Sequence, residues 1–70
     1  MEQQEEQKQE INIVKLALLV EDYEPCQRFM SVYLQDLGYQ VDLVDNSFDA
    51  IQNVQSEAYD LIMVDINLQG

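Results

Sequence analysis

Histidine is absent from this chain of 70 residues. Its absence removes imidazole acid–base catalysis and histidine-ligated zinc from what the chain can do alone. Cysteine occurs once, at Cys26, so neither an internal disulfide nor a multi-cysteine metal site can form. Only three bases, Lys8, Lys15 and Arg28, stand against fourteen acids, giving a net charge of −11. Such a chain has little with which to replace counterions on a nucleic-acid backbone or to hold an anionic membrane surface. No stretch approaches the ~20 apolar residues that a spanning helix requires. The acidic start carries no apolar run of the kind a signal peptide needs, and a cytoplasmic location is expected.

What is present divides unevenly. Met1–Glu10 are nearly all Glu and Gln, and residues 1–14 are expected to form a solvated, disordered tail. Residues 15–70 are left to build a core. A domain of that size buries only about 60% of its unfolded surface, so marginal stability is expected.

The folded part alternates between two kinds of pattern. Leu16-Ala17-Leu18-Leu19-Val20 is a continuous apolar run that stops at Glu21-Asp22, which suits a parallel strand covered on both faces. Pro25 then fits the first turn of a helix. Cys26, Phe29, Met30, Tyr33, Leu34 and Leu37 recur at helical spacing and predict one buried face, with Gly38 placed to end the helix. Cys26 reads as a core residue on that face rather than a reactive thiol.

Tyr39, Val41 and Leu43 alternate with Gln40 and Asp42, the pattern of a strand near a sheet edge. Asn46 and Asp49 resemble a capping pair for a second helix whose buried side would be Ala50, Ile51, Val54 and Ala58. Asp42, Asp45 and Asp49 lack calcium-loop spacing and read as caps and a solvated face. Leu61-Ile62-Met63-Val64 is a second unbroken apolar run, and it ends in Asp65. The order strand, helix, strand, helix, strand predicts parallel pairing with right-handed crossovers.

The chemistry lies where the apolar runs stop. In open α/β sheets, ligands gather beyond the carboxyl ends of the strands. If the first and third strands are neighbours, Glu21, Asp22 and Asp65 converge there. Three carboxylates so close repel strongly, and a divalent cation relieves the repulsion. Magnesium suits an all-oxygen ligand set, and with it one carboxylate can act as a nucleophile toward a phosphoryl group. Asp22 alone or Asp65 alone would pass as a helix-capping residue. The combination of two apolar strands, each ending in acid, is what points to a site. The first strand-to-helix turn contains no glycine, which excludes a dinucleotide fingerprint or a phosphate-cradling loop.

These segments resemble response-regulator receiver domains. Leu18-Leu19-Val20-Glu21-Asp22 is similar to their opening strand and acidic pair. Tyr59 through Leu68 is similar to their third strand and acceptor loop, and Asn46 through Ile51 to the start of their second helix. The resemblance implies an α/β, flavodoxin-like (CheY-like) βαβαβ fold. Its three-stranded parallel sheet would have order 2-1-3 and be truncated after the third strand. It implies that Asp65 accepts phosphate from a histidine kinase or a histidine phosphotransfer protein, so that the chain is a signalling module and not an enzyme. It implies magnesium held by Glu21, Asp22, Asp65 and the backbone carbonyl of Asn67.

Family members continue for two more strands and three helices, which carry a Thr or Ser and a Lys that act on the phosphate. No residue of this chain takes those roles. A partial receiver domain would leave the edge and one face of the third strand open, predicting self-association through that strand. The alternative function is therefore a non-phosphorylated interaction module that binds a kinase or another receiver through the exposed strand edge.

Overall fold

The computed structural model of the chain describes residues 13–65. Five elements follow one another: β1 (Lys15–Val20), α1 (Glu24–Asp36), β2 (Tyr39–Val44), α2 (Ser47–Ser56) and β3 (Leu61–Val64). The sheet has order β2-β1-β3, and both pairings are parallel. The expected order 2-1-3 is thus the observed one. Asn67 lies outside the described residues, as does the tail up to residue 12.

Among the described residues, β1 is central because it alone has a strand on each side and a helix on each face. Ala17, Leu18, Leu19 and Val20 are all buried. The register pairs Ala17 with Val41 and Leu61, and Leu19 with Leu43 and Met63. Ala17 and Leu19 form the heart of one face, packed under Leu34 and flanked by Met30, Tyr39, Val41, Leu61 and Met63. Leu18 and Val20 point to the opposite face, where α2 crosses β1 and β2. Ile62 and Val64 share that face by register but remain 46% and 52% exposed. The apolar run of β3 is therefore half-buried on one side and exposed on the other, in contrast to that of β1.

The two helices bury less than their spacing predicts. Leu34 is the only buried residue of α1, with Met30 partly covered. Phe29, Tyr33 and Leu37 are 70%, 50% and 52% exposed. Cys26 is also exposed, which corrects its reading as core. The physical reason is coverage. α1 lies over β1 and β2, and only the flank of its apolar stripe facing them meets a neighbour among the described residues. In α2, Ala50 is half-buried while Ile51 and Val54 are exposed. Ala58 lies beyond the helix and is exposed too.

The ends of the helices follow local chemistry. Pro25 sits in the first turn of α1, where its missing N–H leaves no helical bond unmade. At the other end, Gly38 takes φ +100° and its N–H donates to the Gln35 carbonyl at 2.9 Å. A Cβ at position 38 would meet nothing closer than Lys15 Cε at 4.0 Å. The effect of Gly38→Ala is then one of backbone conformation alone. It is expected to lower stability by about 1 kcal/mol in a urea titration, with the midpoint shifted and the slope unchanged. At α2, the Asn46 side chain accepts from the Asp49 N–H at 2.8 Å, and its amide donates to the Asp49 carboxylate at 3.0 Å. The capping pair read from the sequence is therefore formed.

One polar contact departs from the expected solvated surface. Asp42 is half-buried, and its carboxylate accepts a hydrogen bond from the Tyr59 hydroxyl at 2.7 Å. The Asn53 amide donates to the same hydroxyl oxygen at 3.1 Å. The network ties α2 and the start of β3 to β2. Burial, then the hydrogen bond to Asp42, raise the Tyr59 hydroxyl above its ordinary pKa of 10.0. A raised pKa means that the stabilisation is complete below the unfolded value and is lost as pH climbs above it. The contribution of Tyr59 to folding stability should be level from neutrality to about pH 9 and fall above about pH 10. Tyr59→Phe should lose about 1 kcal/mol at neutral pH and show a shallower alkaline decline, as read by thermal melts across pH. An equal decline in both proteins would assign the alkaline loss elsewhere.

Candidate metal centre

Both neighbours of β1 run parallel to it, so all three strands deliver their carboxyl ends to one edge of the sheet. The last paired residues are Val44, Val20 and Val64. The hydrogen bonding continues one step further on each side. Glu21 N–H donates to the Val44 carbonyl at 3.0 Å, and Asp65 N–H donates to the Val20 carbonyl at 3.0 Å. These two bonds place Glu21 and Asp65 side by side at the edge.

Asp22 completes the group. Glu21, Asp22 and Asp65 each offer a carboxylate oxygen, and these oxygens all lie within 4.8 Å of one another. Glu21 is buried at 8% exposure, Asp65 is half-buried and Asp22 is exposed, so the cluster has a closed floor and an open mouth. Glu21 is also held in place. Its carboxylate accepts from the Tyr23 N–H at 3.1 Å, and its backbone carbonyl accepts from the Gln27 side chain at 2.7 Å.

The sequence thus pointed to three residues that the fold brings together: Glu21, Asp22 and Asp65. It gave no signal for Gln27, a polar residue in the first helical turn that periodicity places only beside the apolar stripe. The Asp60 carboxylate accepts from the Leu16 N–H at 2.7 Å, and its own N–H donates to the Leu16 carbonyl at 2.8 Å. Asp60 therefore fastens the start of β3 to β1 at the end of the sheet opposite the acidic cluster. Of the described bases, Lys15 lies over the Tyr39 ring at 5.1 Å and Arg28 pairs with Glu24 at 2.8 Å.

The donor set can be tested against a cation. Magnesium takes six oxygens at about 2.0–2.1 Å, which puts adjacent ligands about 2.9 Å apart and opposite ligands about 4.2 Å apart. Carboxylate oxygens within 4.8 Å of each other are close to the span of one such ligand shell. All three donors are hard oxygens, and an open mouth leaves room for the waters that magnesium retains. The residues fit a small divalent cation.

Comparison with known proteins leads in the same direction. The family described as "Response regulator receiver domain" matches residues 17–70. A protein named "Probable histidine kinase 1" from Oryza sativa subsp. indica is 35% identical over 51 residues, covering 73% of this chain and 5% of that protein. "Sensor histidine kinase GacS" from Pseudomonas protegens is 34% identical over 53 residues, covering 76% of this chain and 6% of that protein. The chain therefore spans about one-twentieth of the length of these curated relatives. No solved structure matches.

Proposed function

Because the chain belongs to the response regulator receiver domain family, we propose that it accepts a phosphoryl group on Asp65 as a step in two-component signalling. The single observation that carries this reading is the position of Asp65. It sits at the carboxyl end of β3, with a carboxylate oxygen within 4.8 Å of those of Glu21 and Asp22.

In this reading a carboxylate oxygen of Asp65 attacks the phosphorus of a phosphohistidine. An O–P bond forms, the N–P bond breaks, and the imidazole leaves and takes up a proton. The product is an acyl phosphate. Glu21, Asp22, Asp65 and the carbonyl of Asn67 would hold magnesium, which neutralises charge on the transferring oxygens when bound. Glu21 is the buried, anchored member, and Asp22 stands at the mouth. The chain acts as an acceptor that is itself modified rather than as an enzyme turning over a separate substrate. The phosphodonor is a histidine kinase or histidine phosphotransfer protein, in keeping with the names of the two similar proteins. None of the described helices is long and apolar enough to cross a membrane.

The test is incubation of the chain with a small phosphodonor and magnesium, followed by intact mass. A gain of one phosphoryl group, prevented by a chelator present from the start and reversed by hydroxylamine afterwards, is expected. No gain at any magnesium concentration would contradict the reading.

A second reading is favoured by one observation, the place of β3 at one end of the strand order, with β1 as its only strand partner among the described residues. That half-covered strand suits pairing with another chain, either a second copy or a receiver, without phosphoryl transfer. Light scattering separates them: concentration-dependent growth in mass supports strand pairing, and a monomer at all concentrations contradicts it.

A further inference from the structure

We propose that Gln27 is a positioning residue for the cation site, acting through the backbone of Glu21. This rests on the reading of Glu21, Asp22 and Asp65 as a divalent-cation site and adds a residue that touches neither ion nor phosphate.

The segment Glu21–Tyr23 belongs to neither strand nor helix, so it lacks the repeated hydrogen bonds that hold its neighbours. The start of α1 has no side-chain cap either, since Tyr23 occupies that position. The segment is nevertheless tied at defined points. Glu21 N–H is bonded to β2 through the Val44 carbonyl. Tyr23 N–H is bonded to the Glu21 carboxylate, and the Tyr23 carbonyl accepts from Gln27 N–H at 3.0 Å. A further tie is the Gln27 amide, which donates to the Glu21 carbonyl at 2.7 Å from a half-buried position. Gln27 lines the cleft between α1 and the end of β2, beside Leu43, Val44 and Asp45.

Gln27 thus fixes the peptide that joins Glu21 to Asp22. The direction of that peptide decides where both carboxylates can reach. Without the side-chain donor, the Glu21 carbonyl is free to turn toward water, and the two acids lose their common orientation. Partners that orient ligands in this way typically govern metal affinity by 10- to 100-fold.

The experiment is a magnesium titration of the full chain, followed by amide chemical shifts. It compares the wild type with Gln27→Ala, Gln27→Glu and Gly38→Ala. Gln27→Ala should weaken magnesium binding about 10-fold or more. Gln27→Glu separates positioning from charge. It keeps the shape, removes the donor and adds a negative charge beside the site. Simple attraction predicts tighter binding, whereas positioning predicts weaker binding. Gly38→Ala, at the far end of α1, destabilises the chain generally and should leave the affinity unchanged. In the metal-free protein, the Tyr23 amide should exchange faster in both Gln27 variants, because its carboxylate partner is no longer held.

Tighter or unchanged binding in Gln27→Glu, with unchanged binding in Gln27→Ala, would overturn the role of Gln27 while leaving the cation site intact. Absence of binding in the wild type would overturn both. Equal weakening in Gly38→Ala would reduce Gln27 to a general contributor to folding and so overturn the inference too.

Discussion

Asp65→Asn is expected to take up no phosphoryl group under conditions in which the native chain is modified. The substitution keeps the size and planarity of the side chain. It replaces an anionic oxygen nucleophile by an amide that cannot form an acyl phosphate. The backbone bond from Asp65 N–H to Val20 is untouched, so β3 should keep its register. Intact mass reports the modification, and a thermal melt confirms that the variant is folded. Persistence of the mass gain in folded Asp65→Asn would move the acceptor elsewhere, with Asp22 as the nearest exposed alternative. Cation affinity should fall as well, because one of the three charged ligands becomes neutral.

Leu18→Ala should have the largest effect on folding. Leu18 is fully buried in the central strand, between Asp42 on β2 and Ile62 on β3, with α2 on its face of the sheet. Removal of a buried leucine side chain typically costs 2–5 kcal/mol, from lost burial and from the cavity left behind. A domain this small has little stability in reserve. The variant should lose its cooperative urea transition or show it shifted by at least about 2 kcal/mol. Ile62→Ala, whose side chain is on the same face but half exposed, should lose much less. Similar losses at both positions would mean that the β3 face is covered in solution, by a second copy or by other chain. The contrast also tests the exposure of β3.

Much of this fold could be read from the sequence, for a physical reason. The unbroken apolar runs at Leu16–Val20 and Leu61–Val64, each ending in acid, are what parallel strands need, and both became strands. The helix boundaries followed Pro25, Gly38 and the Asn46–Asp49 pair, whose effects are local. Burial was harder to read. Periodicity states which residues of α1 share a face, but only a neighbouring element decides which of them is covered. Leu34 was buried, while Phe29 and Tyr33 on the same stripe were not. Cys26 was misplaced for the same reason.

The site divides along the same line. Glu21, Asp22 and Asp65 were found because strand ends and acid positions are written in the chain. Their closeness depended on the pairing of β1 with β3, which the family resemblance supplied. Gln27 and Tyr59 were invisible as functional contacts. The first acts through a backbone carbonyl six residues away, and the second reaches Asp42 across 17 residues. No spacing rule encodes either.

In this reading Glu21, Asp22 and Asp65 share one divalent cation. Manganese can replace magnesium among oxygen ligands, and its unpaired electrons broaden the signals of nearby nuclei. Titration of isotope-labelled chain with manganese should saturate at one ion and erase the amide signals of Glu21, Asp22 and Asp65 first. Magnesium should restore them by competition. Broadening that begins instead at Asp45 and Asp49, or that is spread evenly over the fourteen acids of the chain, would contradict the account.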